Sequence, residues 1–251
     1  MSQAYDKTIH EIMVEYFDKL SQNDIFTTRE MLDYFDKNFP NKATKGTIKA
    51  YLLKFSTNSR TRVNWSTHKN GKCDLLYKID ESKYRLYDKL KDPLPIYDDN
   101  IKEGLNIHDG SFDDIAQTTE QEFAYEKDLQ NFLSKNLQVI EPGLKLYEED
   151  DITGIEYPAG GRYIDILAVD KSNDFVIIEL KVSKGYDRVI GQLLRYIGWV
   201  EKNMIIEGQK VRGIIICKEI TEDLILACSR IKEITLYEYE LSIKLKKINI
   251  E

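Results

Sequence analysis

Two apolar segments that carry charged residues constrain the fold of this chain more than any other feature. Tyr163–Val169 and Phe175–Leu180 flank the polar stretch DKSND, a pattern that predicts two strands joined by a hairpin turn. Glu179 and Lys181 are two residues apart, so they project from the same face of their strand. Asp165 lies near the start of the neighbouring strand, where an antiparallel hairpin brings it close to both. Because such charges are costly on an apolar sheet unless they pair or coordinate an ion, they point to a divalent metal and phosphodiester chemistry.

Length and composition allow one large domain or two modest ones, since the chain has 251 residues of which 42% are hydrophobic. No apolar run approaches the roughly 20 residues of a membrane-spanning helix, and the first residues lack the apolar region of a signal peptide. The cysteines form no CxxC pair, so we expect no structural zinc and a reducing, cytoplasmic location. We expect neither membrane association nor a nucleotide cofactor.

Charge is distributed unevenly along the chain. Residues 1–90 hold 16 Lys and Arg against 12 Asp and Glu, whereas residues 91–251 hold 20 against 31. Within the first part, Asn41–Cys73 contains eight Lys and Arg and no acidic residue. Such asymmetry between the two halves of a chain favours a polyanionic partner at one end.

The first 90 residues show the order of a winged helix-turn-helix domain. Helical spacing of apolar residues predicts helices at Lys7–Leu20, after an N-cap at Thr28, and at Thr44–Phe55. Strand-like runs follow at Arg60–Trp65 and Asp74–Ile79, with a short YRLY segment after them. We therefore expect a DNA-binding domain over residues 1–90.

In such a domain the third helix would enter the major groove of DNA. Its outward residues would be Lys45, Thr47 and Lys49, with Lys54 further along. The wing would carry Arg60, Arg62, Lys69 and Lys72. The alternative is that these basic residues form only a solvated face.

Residues 91–121 are acidic, contain turn-forming residues and show weak periodicity, which predicts a linker. It is either a solvated connector or a segment that shields a DNA-binding groove. Residues 122–251 alternate helical and strand patterns in the order α-β-β-β-α-β-α-β, which indicates a mixed α/β domain with its sheet between helices.

This order and these charged residues resemble the PD-(D/E)xK nuclease superfamily, whose motif matches Asp165 and the Glu179-Leu180-Lys181 stretch. The nominal proline before Asp165 is absent. A narrower resemblance, to the C-terminal domain of NucS-type (EndoMS) endonucleases, rests on EKDLQNFL, YPAGGRYIDILAVD, VIIELKVSK and DRVIGQLLRYIGWV. It covers roughly residues 122–217, whereas the N-terminal part does not resemble the NucS N-terminal domain. The expected fold is a restriction-endonuclease-like core preceded by a winged helix-turn-helix.

The chemistry of the motif predicts a metal site. Asp165 and Glu179 would hold Mg²⁺, with Mn²⁺ able to substitute, because hard divalent cations prefer oxygen ligands. The carbonyl of Leu180 is a candidate further ligand. The metal would polarise a phosphoryl oxygen and activate water, and Lys181 would position that water or stabilise the developing charge.

Two flanking helices supply further candidates. Arg188, Gln192 and Arg195 fall on one helical face. The resemblance implies that Gln192 orients a water or a metal ligand, while the arginines would contact phosphates or serve only as surface or ion-pair residues. Glu126 matches the acidic residue of the family's first core helix, and its alternative is an ordinary exposed position.

The leading hypothesis is a Mg²⁺-dependent DNA endonuclease of restriction type, working as a homodimer because cutting both strands needs two sites. One alternative is a repair nuclease acting on mismatched, branched or single-stranded DNA, which the NucS resemblance favours. The other is a DNA-binding regulator with an inactive nuclease fold.

Overall fold

Three helices and a small sheet form the N-terminal unit. The computed structural model describes residues 7–65, 71–97, 120–185, 188–206 and 208–241, with only the backbone at 120–124 and 183–185. The elements are α1 (Ile9–Phe17), β1 (Ile25–Thr27), α2 (Thr28–Asn38), α3 (Lys45–Phe55), β2 (Leu76–Lys78) and β3 (Lys83–Leu86). The strands form an antiparallel sheet in the order β1-β3-β2. We call residues 7–97 the N-terminal unit.

Threonine caps explain where the helices of this unit begin. Thr8 and Thr27 each form a capping box, with Glu11 and Glu30 respectively, and Thr44 caps α3. The predicted N-cap of the second helix, Thr28, is therefore wrong by one residue, because the hydroxyl that accepts the free backbone N–H belongs to Thr27.

The strand predicted at Arg60–Trp65 is also wrong. Residues Arg60–Asn64 form a 3-10 helix. The side chains that become buried are Thr61, Arg62 and Trp65, which follow the spacing of a helical turn and not the alternation of a strand. The Arg62 guanidinium lies 2.5 Å from the Asp74 carboxylate, an ion pair that the apparent alternation of the sequence does not indicate.

A mixed sheet with helices on both faces forms the C-terminal unit, residues 120–241. Its helices are α4 (Glu120–Lys135), α5 (Arg188–Asn203) and α6 (Glu222–Cys228), with a 3-10 helix at Leu137–Val139. Its strands are β4 (Lys145–Leu146), β5 (Glu148–Glu149), β6 (Ile152–Thr153), β7 (Ile155–Pro158), β8 (Tyr163–Val169), β9 (Phe175–Gly185), β10 (Val211–Ile220) and β11 (Ile234–Glu238). Strands β5 and β6 pair separately. The mixed α/β fold is confirmed.

The sheet has the order β11-β10-β9-β8, and β8 also pairs with both β4 and β7. Strands β9, β10 and β11 are parallel, whereas β8 and β9 form the predicted antiparallel hairpin with Ile166 opposite Ile178. The paired register ends at Ile166 and Ile178, one residue short of Asp165 on β8 and of Glu179 on β9. The hairpin therefore brings both acidic residues to the same end of the ladder, where the Leu180 N–H donates to the Asp165 carboxylate.

The apolar core continues from one unit into the other. Leu129 and Leu133 of α4 share a core cluster with Ile166 and Ile178 on one face of the sheet. Buried residues of α5, of the opposite sheet face and of the three N-terminal helices form a second, single cluster. The N-terminal unit is therefore packed against the sheet through a common core.

Most of the predicted linker, 98–119, and the strand-like segment 243–250 lie outside the described residues. The first linker residues pack on the N-terminal unit, where the Ile96 N–H donates to the Thr57 carbonyl at 2.9 Å. Within the described ranges, no helix combines the length and apolar character needed to cross a membrane.

Candidate active site

The hairpin and α4 bring the principal candidate residues together. The Asp165 Oδ2 atom accepts a hydrogen bond from the Leu180 N–H at 2.7 Å. The Lys181 ammonium donates to Glu179 Oε1 at 2.9 Å and lies 4.0 Å from Glu126 Oε1. These contacts bring together residues of β8, β9 and α4.

The electrostatics of this group favour added positive charge. Burial, and then the neighbouring Glu179, raises the pKa of Asp165 well above its ordinary value. Burial also raises the pKa of Glu179, in spite of the attraction of Lys181. For Lys181, burial acts to lower the pKa, but Glu179 and Asp165 outweigh it and raise the pKa. Raised pKa values mean that the site disfavours the charged form of both carboxylates. A bound cation would favour that charged form.

The residues fit a hard divalent cation by their chemistry. Glu179 is fully buried, and its Oε2 atom accepts no hydrogen bond from any described residue. Such an orphaned anionic oxygen is costly without a partner. Asp165 and Leu180 line a cavity together with Glu126 and Glu156, so the groups available to a cation there include several oxygens. Among the described residues no three acidic, histidine or cysteine side chains form a ready-made cage, and the Lys181 ammonium neutralises Glu179 instead.

Sequence reasoning missed a set of polar residues on the other side of Asp165. Glu156 lies opposite Asp165 in the antiparallel β7–β8 register, and it has a positive φ of 48°. The Gln130 amide donates to Glu156 Oε1 at 2.9 Å and to the Asp165 carbonyl at 2.8 Å. The Lys127 ammonium lies 3.2 Å from the same Glu156 oxygen. Gln130 is four residues after Glu126, so helical spacing could have found it.

Helix α5 lies beside the site through a chain of hydrogen bonds. The Tyr196 hydroxyl donates to the Tyr163 carbonyl at 2.6 Å, and the Gln192 amide donates to that hydroxyl at 3.2 Å. Burial, followed by the charge of Glu179, raises the pKa of Tyr196 to about 12. The Gln192 amide thus contacts Tyr196, which is bonded to the strand that carries Asp165, and the role of Gln192 in orienting a water or a metal ligand stays a prediction.

The two arginines of α5 lie on its exposed side. Arg188 occupies the first turn of the helix, and Arg195 donates to the Gly160 and Ala159 carbonyls at 3.3 and 3.4 Å. Those carbonyls belong to the turn between β7 and β8. Arg195 therefore sits next to the segment that leads into Asp165.

The predicted DNA contacts of the third helix need correction. Thr47 is buried, and its hydroxyl lies 3.0 Å from the Tyr147 hydroxyl. Lys54 is fully buried and pairs with Asp151. These side chains cannot reach DNA in this arrangement, because α3 packs its supposed outward face against the C-terminal unit.

The remaining basic candidates differ in exposure. Lys45 is exposed, whereas Lys49 is half-buried and donates to Asn203 Oδ1 at 2.9 Å. Of the predicted wing residues, Arg62 is fully buried, which excludes it as a DNA contact in this arrangement. Arg60 is half-buried, Lys72 is exposed, and Lys69 lies outside the described residues.

Comparison with known proteins identifies the two parts of the chain separately. Residues 125–244 match the family described as the endonuclease NucS C-terminal domain. Residues 8–86 match a domain of unknown function, DUF7669. The endonuclease NucS of Pyrococcus abyssi is 33% identical over 98 residues, which are 39% of this chain and 35% of that protein. The endonuclease NucS of Sulfolobus acidocaldarius is 30% identical over 107 residues, or 43% of this chain and 39% of that protein.

Two solved structures show weaker likeness. One is described as a repair endonuclease from Pyrococcus abyssi and has 26% identity and a TM-score of 0.38, covering 49% of this chain and 48% of that one. The other, an EndoMS–dsDNA complex, has 19% identity and a TM-score of 0.38, covering 65% and 53%. The chain spans between 35% and 39% of the length of the two curated relatives. Its C-terminal unit matches the NucS C-terminal domain family and has the mixed α/β, PD-(D/E)xK-like core that the sequence predicts.

Proposed function

We propose that this protein is a divalent-metal-dependent DNA endonuclease that acts on mismatched, branched or flapped DNA. The observation that carries the proposal is the convergence of Asp165, Glu179 and Lys181, in which a fully buried carboxylate oxygen of Glu179 lacks a partner. A carboxylate pair with an adjacent ammonium group matches the needs of phosphodiester hydrolysis.

Each residue has a role that follows from its contacts. Asp165 and Glu179 would hold Mg²⁺, or Mn²⁺ in its place, and the Leu180 N–H keeps the Asp165 carboxylate oriented. When bound, the metal would polarise a phosphoryl oxygen and lower the pKa of water. The ammonium of Lys181 stabilises negative charge at the reacting phosphate. Glu126, at 4.0 Å from Lys181, adds a carboxylate on the α4 side of the site.

Two observations favour mismatched, branched or flapped DNA as the substrate over the sequence-specific, restriction-type cleavage that the sequence first suggested. The curated relatives that match the C-terminal unit are named endonuclease NucS. In addition, α3 buries the face that would have entered a major groove, including Thr47 and Lys54. Sequence-specific recognition needs side chains that reach base edges. Two of the side chains predicted to make such contacts, Thr47 and Lys54, are buried.

We also propose that the N-terminal unit is a winged helix-turn-helix and that the protein works as a homodimer. The element order α1-β1-α2-α3-β2-β3 and the antiparallel order β1-β3-β2 support the first part. The need for two active sites to cut both strands of a duplex supports the second.

A panel of labelled duplexes tests the function. The full chain is incubated with Mg²⁺ and with fully paired, mismatched, flapped and branched substrates of the same sequence, and a chelator-treated sample is the control. Cutting of the irregular substrates, abolished by the chelator, is the expected result. Defined fragments from fully paired DNA would instead establish restriction-type cleavage, and a complete lack of cutting would leave a DNA-binding regulator.

A further inference from the structure

One side of α5 carries a row of basic, polar and aromatic residues, in which the basic members are exposed and the other two are half-buried. Its members, which follow one another at intervals of three or four residues, are Arg188, Gln192, Arg195, Trp199 and Lys202. This spacing places them within a narrow arc of the helix surface. Between the first and last, α5 advances about 21 Å, which is the length of about six base pairs at 3.4 Å each. The acidic residue of the helix, Glu201, falls on the other side by the same spacing.

The opposite face of α5 fixes the direction of this row. Val189, Leu193, Tyr196 and Val200 are buried in the core that the two units share. Arg188, Arg195 and Lys202 are all exposed. The helix therefore cannot rotate to bury its charged face without losing its apolar contacts.

At its C-terminal end the row meets lysines from the N-terminal unit. The Lys49 ammonium lies 2.9 Å from Asn203 Oδ1 and 5.7 Å from the centre of the Trp199 ring. Burial, followed by the charges of Lys202 and Lys45, lowers the pKa of Lys49. Lysines from two distant parts of the chain are thus held together at the boundary between the units. Like charges in such proximity repel one another unless an anion lies between them.

Through its second and third members, Gln192 and Arg195, the row lies beside the candidate active site. Arg195 binds the carbonyls of the β7–β8 turn, and Gln192 contacts Tyr196, which is bonded to the Tyr163 carbonyl. Asp165 lies two residues after Tyr163 on β8. A strand of nucleic acid lying along the row would therefore pass the carboxylates.

Two glycines make the same side of α5 flat. Gly191 and Gly198 lie seven residues apart on the outward side, and a Cβ at either position would meet nothing within 4 Å. Each glycine in a helix interior costs about 1 kcal/mol relative to alanine. Their open surroundings give a backbone or phosphate room to approach.

We propose that Arg188, Arg195, Lys202, Lys45 and Lys49 form one phosphate-binding surface, the basic strip, which runs from the active site across the boundary of the two units. The N-terminal unit then binds DNA through the exposed start of α3, beside α5, and not by inserting α3 into a groove. The inference rests on the proposed function, since its ligand is the backbone of the DNA that the site would cut.

Salt-dependent DNA binding by the full chain tests the strip. Binding of a labelled mismatched duplex is measured by fluorescence anisotropy over a salt series, with Ca²⁺ in place of Mg²⁺ to prevent cutting. Removing one side chain that neutralises a phosphate should reduce the slope of log K against log salt by about 0.9. Lys45→Ala and Lys202→Ala should each reduce the slope by this amount, and the double variant should reduce it by about 1.8.

A matched control removes two exposed lysines elsewhere, Lys37→Ala on α2 and Lys232→Ala after α6, and should leave the slope unchanged. If Lys202→Ala reduces the slope and Lys45→Ala does not, the strip does not cross the boundary and the inference is wrong. An equal reduction in the control pair would also overturn it. Cleavage of the mismatched duplex, measured with Mg²⁺ in the same variants, is a separate readout. If Lys45→Ala and Lys202→Ala cut at the wild-type rate and leave the slope of log K against log salt unchanged, the strip is rejected. The proposed function would still stand.

Discussion

Lys54 of α3 is fully buried and its ammonium pairs with the carboxylate of Asp151 in the C-terminal unit. The Tyr51 hydroxyl donates to the same carboxylate. This pair ties the C-terminal end of α3 to the turn between β5 and β6. The helix expected to contact DNA thus serves instead to join the two units.

Removing the ammonium of Lys54 should destabilise the fold. Lys54→Ala leaves a cavity and a carboxylate without its cationic partner, and loss of one partner of a buried ion pair costs about 3–5 kcal/mol. Asp151 is 43% exposed, so solvent should reduce the loss to about 2 kcal/mol. Urea denaturation measures it. Lys7→Ala, which removes a half-exposed pair with Glu15, is the control and should cost well under 1 kcal/mol.

Stability should fall in acid because of the same carboxylate. Burial acts to raise the pKa of Asp151, but hydrogen bonds from Lys54 and Tyr51 outweigh it and lower the pKa below its ordinary value. A depressed carboxylate pKa contributes stability above the unfolded-state pKa of about 3.9, and the contribution is lost as the pH falls through the folded-state pKa. Unfolding free energies measured against pH should decline over that window in the wild type. In Asp151→Asn the decline should be smaller, and an identical profile would contradict the assignment.

Gln130 should stabilise the segment that carries Asp165. Its amide is buried and bridges the Asp165 carbonyl and Glu156. Gln130→Ala removes this donor from the carbonyl of the half-buried Asp165, which costs about 1 kcal/mol. Thermal unfolding should show the loss, and the stabilisation by added Mn²⁺ should shrink as well. Gln138→Ala, whose amide donates to the Leu144 carbonyl away from the site, should lower stability without changing the response to Mn²⁺.

Gly198 offers a substitution with opposite effects on stability and on DNA binding. A Cβ there would meet nothing within 4 Å, so Gly198→Ala should stabilise the fold by about 1 kcal/mol through helix propensity. If DNA lies along the basic strip, the added methyl group should also weaken binding to a labelled duplex. Denaturation and anisotropy measure the two effects, and stabilisation with unchanged binding would place DNA away from this part of α5.

The hairpin with its charged residues could be predicted because its signals are local. Two short apolar runs, a polar turn and the two-residue spacing of Glu179 and Lys181 together specify strand, direction and face. The observed register, with Ile166 opposite Ile178, confirms that hairpin. The third helix, predicted to begin at Thr44, is capped by that residue, and such caps follow equally local rules.

The features that sequence reasoning missed depend on tertiary contacts. Glu156 lies in a four-residue strand, too short to show a period, and its importance comes only from the register that sets it opposite Asp165. Thr47 and Lys54 resemble solvent-exposed helix residues, but partners about a hundred positions away bury them. No local pattern indicates which face of α3 the C-terminal unit covers.

Cleavage of a mismatched duplex by Lys181→Ala tests the central claim most directly. Removing a group that stabilises charge in the transition state typically lowers the rate by about 10²–10³. Under single-turnover conditions with Mg²⁺, the variant should show a loss of that size, with DNA binding in Ca²⁺ little changed. Cutting at the wild-type rate would show that Asp165, Glu179 and Lys181 are not the catalytic site.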